Sequence, residues 1–381
     1  MSGARVDGVE TMERRGRARI AMLGAAIALA ALATAFGRPT TVAAQANAYC
    51  GGENLAEGAN WSVCWEIRAN EGLVITQAFF KSPDGWQHVM SDGSVAQIFV
   101  PYETGAPRYH DVAYGLGAAL QPLSATVDCP HGSLLYGGKV CREIMDTGIA
   151  ARFCAANCTG RRGKALRLLA SSQMGAYNYL TSWMFHDDGT IHPEVGLAGT
   201  LQFGFTAHTH NIYWRMDMDI EDPEGDSVEE FYRVSPAGGD GSKGLNGWNT
   251  LLGETYRPTD LTTFRKWRVV DHNRGNAHGR AMSYELIPSP GDGQLRAKLS
   301  EGFTRGEFWV TAQKPGERFV STDDADLLSG YLSGDNVVNT DVVIWYAVHL
   351  YHEVRSEDSP YMPVEWAGFH LKPRDFMSEG P

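Results

Sequence analysis

The sequence predicts an all-β protein, built as one large antiparallel β-sandwich. Strand-like stretches recur along the chain, at Leu73–Phe80, Val95–Val100, Tyr213–Ile220, Ala281–Ile287, Phe308–Ala312 and Asp341–His352. Glycine is abundant, with 43 residues, and turns such as Asp92-Gly93, Asp187-Asp188-Gly189 and Gly238-Gly239-Asp240 separate these stretches. Long amphipathic helical patterns are nearly absent and no internal repeat is visible. The length permits a single large sandwich.

The chain opens outside that fold. Arg14, Arg15, Arg17 and Arg19 precede an Ala-rich apolar run from Ile20 to Phe36, and Ala44-Gln45-Ala46 offers a small-residue cleavage site. This pattern predicts a signal peptide over residues 1–46, with residues 47–381 as the domain, secreted or periplasmic. The Arg14-Arg15 pair hints at twin-arginine export, although the residues after it fit that motif poorly. An uncleaved anchor is the alternative, disfavoured by the short Ala-rich run. No other segment has the length to span a bilayer, so no membrane partner is expected after cleavage.

Removing residues 1–46 takes away six arginines and three acids, and the formal charge moves from −12 to −15. That balance argues against nucleic acid or an anionic membrane surface as partner. All six cysteines remain: Cys50, Cys64, Cys129, Cys141, Cys154 and Cys158. An even set in an exported chain predicts disulfides, with connectivity left open by sequence alone. None lies in a CxxC pair, which argues against a structural zinc site. The stretch Pro223–Thr259 is polar and Gly-rich and reads as a long excursion from the core.

Two strands carry the chemistry. His208 to Asp219 reads HTHNIYWRMDMD and alternates with period two. His208 and His210 therefore share a face with Ile212, Trp214, Met216 and Met218, while Asp217 and Asp219 lie on the other. The carboxylates fall roughly 20–25 Å from His210, too far to share an ion with the histidines. Asp341 to His352 reads DVVIWYAVHLYH. If the two strands pair antiparallel, His352 opposite Thr209 and Asp341 opposite Met218 belong to one register, to within a residue or two. One pairing thus brings His352 to the His208/His210 pair and Asp341 to Asp217 and Asp219. An isolated HxH on a strand is usually polar decoration; two clusters matched by one register point to metal.

Other segments resemble a known family. Met174-Gly175-Ala176-Tyr177-Asn178-Tyr179, then Trp183 and Asp188-Gly189-Thr190-Ile191, resembles the cofactor-tyrosine segment of the copper amine oxidases. The HxH strand, the Asp-x-Asp pair, Pro315-Gly316-Glu317-Arg318-Phe319, Asn339-Thr340-Asp341 and the distal histidine follow in the family's order. So do Met362-Pro363 and Leu371-Lys372-Pro373, and the resemblance runs from about Trp65 to Phe376. It implies the family's catalytic sandwich alone, without its smaller N-terminal domains.

The resemblance also implies roles. Tyr177 matches the tyrosine oxidised in place to topaquinone, and His208, His210 and His352 match the copper(II) ligands. Imidazoles suit copper(II). Asp111, in Tyr109-His110-Asp111, matches the catalytic base; Tyr102 matches the tyrosine that hydrogen-bonds the quinone, and Tyr109 a channel gate. Read without the resemblance, Asp111 is a turn residue before a Gly-rich stretch. Asp217, Asp219 and Asp341, with the backbone carbonyls of Met218 and Val342, match a second metal site whose oxygen ligands suit calcium or manganese. Cys129 and Cys154 match the family's disulfide, which leaves Cys50–Cys64 and Cys141–Cys158. The implied reaction is oxidative deamination of a primary amine by dioxygen, giving aldehyde, ammonia and hydrogen peroxide, in a homodimer.

The departures are specific. Ala176 stands where the family has Asn, Asn178 where it has an acidic residue, and Gln173 where it has Thr. The segment from Tyr177 to His208 is also shorter than is usual in the family. These departures support a second reading: a copper-binding β-sandwich without oxidase activity, acting as a binding or structural subunit.

Overall fold

Period-two alternation becomes two antiparallel sheets in the computed structural model, which describes residues 49–102, 108–201, 206–233, 246–260, 265–289, 306–318 and 327–381. The signal-peptide stretch, the Gly238-Gly239-Asp240 turn and Phe319 lie outside these residues. Among the described residues one sheet has nine strands and the other eleven. The middle of the first runs through Gly72–Ser82, Gly85–Pro101, His208–Met218, Val342–His352 and Gly306–Ala312. The middle of the second runs through His370–Arg374, Ile191–Gly199, Tyr177–His186, Cys158–Met174 and Val140–Cys154. All six predicted strands are present; the one expected at Val95–Val100 extends back to Gly85 and the one at Tyr213–Ile220 back to His208.

Large aromatics lock the two sheets together. Trp183 of the second sheet meets Trp214 of the first edge-on at 5.1 Å between ring centroids, and Trp267 stacks on Phe308 at 4.2 Å. Each such pair contributes about 0.5–1.5 kcal/mol beyond the area it buries. The His208–Met218 strand is buried along its whole length. Ile212, Trp214, Met216 and Met218 face the inter-sheet core. Tyr213, on the opposite face, joins Phe99, Trp309 and Trp345 in a second cluster closed by Leu328, Tyr331 and Leu332. Burial on both faces explains why its partner strand reads as a nearly unbroken apolar run. Arg215 is buried there too, and its charge is met by Asp92 at 3.1 Å.

Two expectations are corrected. Pro223–Thr259 is not an excursion: it contributes Asp226–Arg233, Asn246–Thr250 and Thr255–Pro258 to the sheets. Charged residues on these strands, in ion pairs such as Arg257–Glu230 and Arg268–Glu229, mask the apolar alternation. The disulfides are Cys50–Cys64, as expected, then Cys129–Cys141 and Cys154–Cys158, in place of Cys129–Cys154 and Cys141–Cys158. Cys141 begins the Val140–Cys154 strand beside Cys129, whereas Cys154 ends it. That separation is roughly 40 Å of extended chain, beyond any disulfide's reach. Cys154 instead faces Cys158 directly across the hairpin.

Candidate active site

Antiparallel pairing delivers the histidines. His208 faces His352 in register, and His210 stands two residues further along the same face. The ring centroids of His208 and His210 are 4.8 Å apart, and those of His208 and His352 5.0 Å. All three side chains are buried.

One nitrogen of each ring is already committed, which fixes the tautomer. His208 Nδ1 donates to the Thr206 carbonyl at 3.0 Å, leaving Nε2 as a lone pair. His352 Nε2 donates to the Asp358 carboxylate at 3.1 Å. His210 Nδ1 lies 2.9 Å from the Tyr179 hydroxyl. Because Tyr179 donates its own proton to Asp111 Oδ2 at 2.6 Å, it accepts from His210. What remains is Nε2 of His210 and Nδ1 of His352, both buried without a hydrogen-bond partner. Orphaned polar atoms cost about 1–3 kcal/mol each. Burial pushes the His208 imidazolium down to about 4 and holds that of His210 well below its ordinary value, so both rings are neutral near pH 7. Neutral imidazoles gathered on one face, two of them with an unpartnered nitrogen, fit copper(II).

Tyr177 is delivered by a tight turn. Met174 pairs with Tyr177 across a two-residue hairpin turn whose first residue, Gly175, has φ of 60°, a conformation that glycine adopts without penalty. The turn sets the Tyr177 hydroxyl 3.2 Å from His208 Nε2 and 3.4 Å from the Tyr102 hydroxyl. Tyr102 also stacks on the His208 ring at 4.4 Å. A cavity of about 390 Å³ opens over this corner, lined by Tyr102, Tyr109, Asp111, Met174, Tyr177 and Tyr179. Asp111 begins the short helix Asp111–Tyr114 and is buried, not the solvated turn residue of the simpler reading. Burial pushes its carboxyl up to about 6, although the hydrogen bond from Tyr179 pulls the other way.

The departures around Tyr177 fall away from its ring. Alternation turns Tyr177 and Tyr179 inward and Asn178 outward. Gln173 is exposed and donates to the Gly175 carbonyl. Ala176 occupies the second turn position, and its carbonyl accepts from Thr200 at 2.9 Å.

At the other end of the strand pair, carboxylate oxygens of Asp217, Asp219 and Asp341 all lie within 4.8 Å of one another. Each keeps one buried oxygen without a hydrogen-bond partner. Burial, opposed by Arg215 and reinforced by the neighbouring acids, pushes Asp217 up; Asp219 is pushed to about 7, and Asp341 also rises. Arg215 supplies one nearby positive charge, at 3.5 Å from Asp217. A divalent cation held by oxygens fits what is left. The Met218 and Val342 side chains point into the core, so only their main chain could serve that ion.

Sequence reasoning missed Tyr179, Thr206 and Asp358. Period two places Tyr179 on the face of Tyr177, so alternation alone carried that signal. Asp358 sits in a short 3-10 turn and had none.

The family model described as copper amine oxidase, enzyme domain, matches residues 52–381. The chain belongs to the copper amine oxidases. Among curated members it is 25% identical over 387 residues to a primary amine oxidase of Arthrobacter sp. (strain P1), covering 86% of this chain and 60% of that one. It is 27% identical over 388 residues to a histamine oxidase of Arthrobacter globiformis, covering 86% and 56%. A copper-containing benzylamine oxidase from Hansenula polymorpha shares the fold, with a TM-score of 0.76, 19% identity, and coverage of 86% and 60%. The chain thus spans about three fifths of the length of these copper amine oxidases.

Proposed function

We propose that this protein is an exported primary-amine oxidase that uses copper(II) at His208, His210 and His352 and a topaquinone made from Tyr177. The observation that carries the reading is the corner where the Tyr177 hydroxyl meets His208 Nε2 and Tyr102 and shares one cavity with the buried Asp111 carboxylate. Bound copper and dioxygen would supply the oxidation of Tyr177 to a quinone, an electrophile and electron sink that no unmodified side chain provides. The net reaction converts a primary amine, dioxygen and water into aldehyde, ammonia and hydrogen peroxide.

The chain's own residues have defined tasks. Asp111, with a value of about 6, is largely ionised at neutral pH and basic enough to take a proton from the amine's α-carbon. The Tyr102 hydroxyl holds the Tyr177 oxygen. Tyr109 and the apolar wall of Met174 exclude water over the reacting carbon. A cavity of about 390 Å³ admits a small amine. Asp217, Asp219 and Asp341 would hold calcium or manganese as a structural ion, and a homodimer is the expected assembly. Amine-dependent release of hydrogen peroxide by the copper-loaded protein, lost in Asp111→Asn with copper retained, tests the reading. A wild type silent toward a panel of primary amines would overturn it.

A further inference from the structure

A second set of histidines lies outside this site. The register that pairs Ile191 with Leu371, and Glu194 with Gly368, places His192 directly opposite His370. Their rings stack at 4.2 Å between centroids, 21° from parallel. Met184 faces His192 from the other side, and His186 stands two residues beyond Met184 on the same face of the sheet. Diagonal neighbours on a sheet are about 7–8 Å apart, within reach of long side chains. Glu194 completes the group, with a carboxylate oxygen 3.8 Å from His192 Nε2. All of these point outward: their inward neighbours Phe185, Ile191, Val195 and Leu371 fill the core. The cluster is therefore separate from His208, His210 and His352, which lie on the face turned to the core between the sheets.

We infer that His192, His370 and His186, with Glu194, form a second transition-metal site, for a borderline divalent ion such as zinc, nickel or copper(II). Two imidazoles stacked opposite each other on adjacent strands can each turn a ring nitrogen toward one ion. Glu194 brings a carboxylate oxygen as a further ligand. The third nitrogen donor is at hand, because His186 Nε2 is buried without a hydrogen-bond partner. Imidazole donors in this number select zinc, nickel or copper over calcium or magnesium. The His192 side chain retains 21% exposure and Glu194 12%, so an ion has access.

The test uses the full chain with its first site filled by copper and calcium present in excess. Zinc is titrated by equilibrium dialysis with metal analysis, for the wild type and for His192→Gln with His370→Gln. The wild type should take up one zinc per chain beyond its copper. The double variant should bind it at least ~10–100-fold more weakly, the cost of losing even an outer-shell partner of a metal site. His186→Gln should give an intermediate loss. No zinc beyond copper in the wild type, or equal uptake by the double variant, would overturn the inference. Unchanged copper content in every variant shows that the fold and the first site survive.

Discussion

The Tyr179 hydroxyl ties Asp111, the proposed base, to His210, a proposed copper ligand, so deleting it should be read at two places at once. Tyr179 is wholly buried; it donates to Asp111 at 2.6 Å and accepts from His210 Nδ1 at 2.9 Å. Tyr179→Phe removes one oxygen and keeps the ring in place. A hydrogen bond to a charged group is worth about 1.5–3 kcal/mol, and 1.36 kcal/mol is one pKa unit, so the Asp111 carboxyl should rise by ~1–2 units. From about 6 it would pass neutrality. Base catalysis needs the carboxylate, so activity is lost as pH falls through this value. The acid limb of the kcat/KM profile should therefore move up by ~1–2 pH units in the variant. Copper affinity should fall ~10–100-fold, because His210 loses the partner that fixes its tautomer. The assay is amine-dependent peroxide release across pH, with copper held saturating and measured. An unchanged acid limb at full copper occupancy would refute the proton link between Tyr179 and Asp111.

The remaining predictions follow from the same geometry. His352→Ala should abolish copper retention, and Asp358→Ala should weaken it ~10–100-fold, because Asp358 holds the proton on His352 Nε2; metal analysis after dialysis reads both. Asp219 titrates near 7 in the folded, metal-free chain and Asp217 is raised as well, against an ordinary value of 3.8. The folded state then binds more protons than the unfolded one, so metal-free stability should fall as pH rises from about 4 through 7. Millimolar calcium should flatten that slope and raise Tm in the wild type but not in Asp217→Ala or Asp341→Ala, with copper content unchanged. Thermal melts across pH check it.

The all-β class and the strand carrying both the histidine and the aspartate clusters were legible because period-two alternation is strong where one face is core. The register was legible because two clusters had to match at once; His208 opposite His352 confirms it within one residue. The cysteine pairing was not legible, since nothing in the sequence shows that Cys141 and Cys154 lie at opposite ends of one strand. The strands within Pro223–Thr259 were hidden because charged residues on them, such as Glu229, Glu230 and Arg257, form ion pairs and make the stretch read as loop. Asn178 shows the converse: next to Tyr177 in sequence, it points to the other face, so adjacency overstated its influence on the ring. The partners that set the histidine tautomers, Thr206 and Asp358, lie outside the strands, in the approach to one and a short 3-10 turn after the other, where spacing carries no pattern.

The central claim concerns one side chain. The full chain, folded without metal and then exposed to copper(II) and air, should be digested and the peptide carrying Tyr177 examined by mass spectrometry, with phenylhydrazine labelling in parallel. Conversion of Tyr177 to the quinone, absent in His352→Ala and in protein kept anaerobic, is the predicted result. An unmodified Tyr177 after prolonged exposure to both, in protein that holds its copper, would contradict the oxidase and leave a copper-binding sandwich.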